Sequence, residues 1–84
     1  MNITFKLFAS LTDYLPPEAR TSNVLALNVP ADASISTIIA PFGMPEKLVH
    51  LVLVNGVYVE PADRLTRTLQ EGDVLAIWPP IAGG

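Results

Sequence analysis

Asn55-Gly56 stands between two runs of β-forming residues, Leu48 to Val54 and Val57 to Val59. Both residues of the pair tolerate positive φ, which a two-residue turn between antiparallel strands requires, so this sequence commits the middle of the chain to a hairpin. An isolated hairpin is marginal in water, because its two strands leave both edges unpaired and both faces uncovered. The rest of the chain must therefore supply further strands and a cover for at least one face.

It does so in a definite order. Residues 2 to 7 alternate strictly, with Ile3, Phe5 and Leu7 on one face and Asn2, Thr4 and Lys6 on the other, the pattern of a half-buried strand. Residues 10 to 22 read as a loop with room for one short helical turn, since the Pro16-Pro17 pair forbids a continuing ladder. A second alternation sets Leu25, Leu27 and Val29 against Ala26 and Asn28 and stops at Pro30. Ser34 is suited to cap a helix whose apolar stripe is Ile35, Ile38 and Ile39, and which Pro41 ends at about Ala40. After the hairpin come a turn at Pro61-Ala62-Asp63, a polar connection plugged by Leu65 and Leu69, a turn at Glu71-Gly72-Asp73, and a last strand from Val74 to Trp78. The order β-β-α-β-β-β predicts an α+β fold of the β-grasp, or ubiquitin-like, kind. It has a mixed sheet of about five strands and one covering helix, with the first and last strands parallel at the centre. Residues 1–78 form the domain and residues 79–84 an extended tail.

At 84 residues there is material for a single core, and 50% of the residues are apolar. The net charge of −3 argues against nucleic acid or an anionic membrane as a partner. Charged residues are 15% of the chain, below the usual share, which implies that some uncharged surface is contact surface for another protein. With no cysteine and one histidine, His50, disulfides, thiol nucleophiles and metal cages are excluded. The start, Met1-Asn2-Ile3-Thr4, has no basic stretch leading into an apolar one, and the longest apolar runs fall far short of a membrane span, so the expectation is a cytoplasmic domain.

Few residues have the chemistry of a site. His50 reads as a surface or satisfied core histidine. Glu60 with Asp63, and Glu71 with Asp73, read as turn residues that accept nearby amides. Arg64 and Arg67 read as a solvated face, and Met44 as a loop plug. The tail is different. Pro79 and Pro80 end the ladder and start a stiff, extended segment, Ile81 is apolar, and Gly83-Gly84 carry no Cβ to obstruct a narrow passage. Extended, six residues reach roughly 20 Å, enough to enter another protein's cleft.

The run Leu69-Gln70-Glu71-Gly72-Asp73-Val74 followed by Ile77-Trp78-Pro79-Pro80-Ile81-Ala82-Gly83-Gly84, together with Val54-Asn55-Gly56, resembles the MoaD/ThiS sulfur-carrier family. The resemblance implies a carrier rather than an enzyme. Gly84 would present a terminal carboxylate that an adenylating (E1-like) enzyme joins to AMP from ATP and a sulfurtransferase converts to a thiocarboxylate. The chain itself would bind no cofactor. Trp78, Pro79, Pro80, Ile81, Ala82 and Gly83 would contact the partners. By the same resemblance the sulfur goes to molybdopterin through the large subunit of molybdopterin synthase. The alternatives are a thiamine-thiazole carrier and a ubiquitin-like modifier joined to lysines.

Overall fold

The computed structural model describes residues 1–80. Five strands form one mixed sheet: β1 (Asn2–Leu7), β2 (Val24–Asn28), β3 (Leu51–Val54), β4 (Val57–Tyr58) and β5 (Val74–Trp78). Their spatial order is β2-β1-β5-β3-β4. β1 and β5 run parallel at the centre, and every other pair is antiparallel. The helix α1 (Ile35–Ile39) crosses one face. This is the β-grasp arrangement that the element order predicts.

The alternation in β1 sorts as its chemistry requires. Ile3, Phe5 and Leu7 are buried with Val52, Val54, Leu75 and Ile77 of the neighbouring strands and Ile35 and Ile38 of α1, in a single core. Burying each such side chain is worth about 1.5–3 kcal/mol relative to exposure, which holds a helix rich in poorly helix-forming isoleucine. Ser34 caps α1 as expected, its Oγ accepting the Thr37 N–H at 3.2 Å. Pro41 ends the α-helix where expected, with α1 stopping at Ile39 and Ala40 as its C-cap. The backbone tightens into a 3₁₀ turn over Ala40–Phe42 and ends at Gly43, whose φ of 70° is left-handed. The Ala40 N–H still donates to Ser36 O, and at position 41 the proline lacks the amide that would have continued the ladder to Thr37 O. The extra turn carries Phe42 onto the core, its ring centroid 4.7 Å from that of Phe5.

The segment between β1 and β2 holds two 3₁₀ turns, Ala9–Tyr14 and Pro17–Ala19, where one was expected; they bury Leu11, Leu15 and Ala19. β3 begins later than its apolar run, because Glu46–Leu48 is a 3₁₀ turn whose Leu48 packs half-buried against the core with Val49 and Met44. The Asn55-Gly56 turn is as predicted, with φ of 51° and 83°.

Three expectations in the polar connection need correction. Arg64 is not solvated: it is buried at 7% exposure, while its neighbour Leu65, expected to plug the core, is 69% exposed. The cause is that the 3₁₀ turn Pro61–Leu65 points the Arg64 guanidinium at carbonyls left without ladder partners. Its Nε donates to Val59 O at 3.1 Å, Nη1 to Val49 O at 3.1 Å and Nη2 to His50 O at 3.1 Å, so the charge is held by neutral oxygens. At Glu60 and Asp63 it is the backbone carbonyls rather than the carboxylates that accept, from Asp63 N–H at 3.0 Å and Arg67 N–H at 2.7 Å. Leu69 is the plug that was expected, at 4% exposure.

Candidate functional site

The site lies where β5 ends. As a central strand, β5 is paired along both edges, to β1 and to β3. The last bonds on each side fix its end: the Phe8 N–H donates to Ile77 O at 3.2 Å and the His50 N–H to Trp78 O at 3.2 Å. Pro79 and Pro80 have no N–H with which to extend either ladder, so pairing stops there. Pro79 is buried and Pro80 exposed. Of the sequence-selected residues, Trp78, Pro79 and Pro80 follow one another at this strand end; Ile81, Ala82, Gly83 and Gly84 lie outside the described residues.

Trp78 is half-buried and sits on the sheet face that α1 does not cover. Its ring lies flat on that of Phe8, centroids 3.8 Å apart and planes 2° from parallel. On the other side Leu51 is its cross-strand partner. One row further along, the registers place Val24, Lys6, Ala76, Leu53 and Tyr58 side by side across all five strands. Val24 and Tyr58 are 39% and 44% exposed, and Lys6 and Leu53 are half-buried. The uncovered face is therefore apolar beside the strand end, with one lysine in its middle.

Sequence reasoning missed this face apart from Trp78. The signal was present in the unbroken apolar run Leu51 to Val54. Where one helix covers one face, a strand apolar on both faces must present the second to something else.

The start of β5 is pinned as firmly as its end. Asp73 Oδ2 accepts the Gln70 N–H at 2.8 Å and its Oδ1 accepts Asn55 Nδ2 at 2.9 Å. These two bonds, the backbone one foremost, hold its carboxyl below the ordinary value of 3.8. Glu71 Oε1 accepts the Asn2 N–H at 2.7 Å. Both carboxylates thus satisfy amides, as their turn placement predicts. His50 is exposed. Among the described residues no group of His, Cys, Asp or Glu is placed to hold a metal ion, and no helix is long and apolar enough to cross a membrane.

Residues 1–82 match the family model described as Mut7-C ubiquitin. The chain belongs to this ubiquitin-like family. No curated protein sequence is significantly similar to it. Among solved structures, it is similar to SAMP1 from Haloferax volcanii, with 24% identity and a TM-score of 0.66 over 100% of both chains. It is also similar to the HVO 2177 protein of Haloferax volcanii, with 22% identity and a TM-score of 0.72 over 100% of this chain and 87% of that one. A third similarity is to a structure of the complex of subunits 1 and 2 of the molybdopterin-converting factor from Helicobacter pylori 26695, with 19% identity and a TM-score of 0.62 over 100% of both chains. At these identities the likeness is one of fold. The Mut7-C ubiquitin chain thus shares its backbone fold with SAMP1 and with a chain of the molybdopterin-converting factor complex.

Proposed function

We propose that this protein is a sulfur carrier whose Gly84 carboxylate is activated by a partner and converted to a thiocarboxylate. The observation that carries the reading is the junction of a central, doubly paired β5 with the sequence Pro79-Pro80-Ile81-Ala82-Gly83-Gly84. A strand held on both edges gives a rigid base, and two prolines give a segment that cannot rejoin the sheet. The reading requires Gly84 to carry the free carboxyl end, as synthesised or after cleavage.

A C-terminal carboxylate is anionic at pH 7 and resists attack by a sulfur nucleophile. An oxygen of the carboxylate first attacks the α-phosphorus of ATP on an adenylating enzyme, and pyrophosphate leaves. The terminal sulfur of a cysteine persulfide on a sulfurtransferase then attacks the acyl carbon and AMP leaves; a thiol of the partner cleaves the resulting acyl disulfide, forming a disulfide with the sulfurtransferase cysteine and releasing the thiocarboxylate. Glycines at the last two positions leave the acyl carbon unshielded by any Cβ. The chain has no cysteine, so no thiol of its own competes for the acyl group. The uncovered face around Trp78, Leu51, Leu53 and Tyr58 supplies the docking surface, with Lys6 placed to meet a partner carboxylate.

The acceptor we favour is the precursor that becomes the dithiolene of molybdopterin, on the large subunit of molybdopterin synthase; the similarity to the Helicobacter pylori complex supports a partner of that kind. The second reading, conjugation of Gly84 to lysines, is supported by the similarity to a protein named as a small archaeal modifier, and it uses the same adenylate. The thiamine-thiazole pathway is a further acceptor for the same thiocarboxylate. Intact mass spectrometry of the protein isolated from its own cells separates these readings. A carrier shows the mass of one sulfur in place of one oxygen, lost in Gly84→Ala. A modifier shows isopeptide-linked adducts that vanish on deletion of Gly83 and Gly84. A chain with neither, whose deletion leaves the cells unaffected, would sink both.

A further inference from the structure

Phe8 has no part in the chemistry above, yet three features of the backbone and packing converge on it. It follows the last residue of β1 in extended conformation, with φ of −121° and ψ of 158°. Its N–H adds one more bond to the parallel ladder, to Ile77 O at 3.2 Å. The next residue, Ala9, then turns away at φ 53°, a left-handed conformation that residues other than glycine avoid. The effect is to carry β1 one residue past its helix-covered core and to leave the Phe8 ring on the uncovered face, flat against Trp78 at 3.8 Å. Phe8 and Trp78 are both half-buried, so the ring is placed against the indole rather than in the core.

Trp78 is the residue from which Pro79 departs. Its carbonyl is held by the His50 N–H and its ring by Phe8. With φ of the following proline fixed by its own ring, the direction of the chain at Pro79 depends on the orientation of the Trp78 peptide. We infer that Phe8 is a positioning residue: through the stack on Trp78 it sets the direction in which the chain leaves the sheet at Pro79. The inference rests on the carrier reading, which gives that direction a reaction to serve. Fixing the root lowers the entropy lost when a partner engages the tail, the usual benefit of preorganisation.

The test uses the full chain in three forms, wild type, Phe8→Leu and Phe8→Tyr, with the adenylating enzyme from the same genome and ATP–pyrophosphate exchange as the readout. Leucine keeps apolar bulk and removes the flat ring; tyrosine keeps the ring. Phe8→Leu is expected to lower kcat/KM for the carrier about fivefold, the range of an aromatic stack expressed as a rate, with Phe8→Tyr close to wild type. Trp78 is the sole tryptophan, so its emission reports the stack directly; Phe8→Leu is expected to shift it to the red at a temperature where all three forms are folded. An altered emission with unchanged kcat/KM overturns the inference, as does a Phe8→Tyr that is as poor as Phe8→Leu. Should Phe8→Leu fail to fold, Phe8→Met replaces it, keeping apolar bulk without the flat ring and leaving Trp78 in place as the reporter, and the same two outcomes apply. A wild type that supports no exchange sinks the carrier reading instead, and the inference with it.

Discussion

Asn55 Nδ2 donates to Asp73 Oδ1 across 2.9 Å, joining the β3–β4 turn to the residue before β5. The same Asn55 side chain accepts the Val74 N–H at 2.9 Å through Oδ1, and its backbone N–H donates to Val74 O at 2.9 Å. One residue in left-handed conformation, φ 51°, therefore ties the hairpin turn to the start of the strand that leads to the tail.

Asn55→Ala should lower stability by about 2 kcal/mol, combining the lost bonds with a left-handed φ that alanine resists. Asn55→Gly removes only the bonds and should cost about half as much. Urea melts of the three proteins decide it; an alanine variant no worse than the glycine variant would show that the backbone conformation carries no cost.

Asp73 contributes to stability on the acid side. Its carboxyl is held below 3.8 in the folded state by the Gln70 amide first, then by Asn55, with Arg67 adding a small contribution. A folded value below the unfolded one means that the ionised form favours folding. The contribution is complete above the unfolded value and is lost as pH falls through the folded one. Melting temperature measured from pH 6 to pH 2 should therefore fall less steeply below about pH 4 in Asp73→Asn than in wild type. Parallel curves would assign the acid sensitivity to other carboxylates.

Arg64→Ala should cost about 3 kcal/mol, because it leaves the Val59 carbonyl buried and the Val49 and His50 carbonyls part-buried without their donor. Arg64→Lys should recover little of this, since a single ammonium lacks the forked geometry that reaches all three. Denaturant midpoints give the comparison, and a lysine variant equal to wild type would refute the fork.

Leu65 and Leu69 are four residues apart and should behave oppositely. Leu69→Ala truncates a buried side chain and should cost about 2–4 kcal/mol, whereas Leu65→Ala should change stability by less than about 0.5 kcal/mol. Equal effects at the two positions would contradict the placement of the Pro61–Leu65 turn.

What was legible in advance was whatever depends on near neighbours in the chain. The strict alternation from Asn2 to Leu7 assigns a strand and its two faces, Asn55-Gly56 assigns a hairpin, Ser34 assigns a helix start, and the sequence of these elements assigns the β-grasp topology. Each rests on a period or a φ preference that operates over a few residues. In the stretch from Pro61 to Leu69 no period exists to read, and the prior that arginine is wet and leucine dry gave the wrong answer at Arg64 and Leu65. There the decision belonged to three carbonyls from the β3 and β4 region, whose need for donors is visible only once the strands are in place. The same holds for Phe8 and Trp78, which the parallel pairing of β1 with β5 brings within stacking distance from opposite ends of the chain. Local sequence chose the strands and their end. The long-range register decided which side chains meet there, because hydrogen-bond satisfaction and ring contact depend on distances that only the assembled sheet defines.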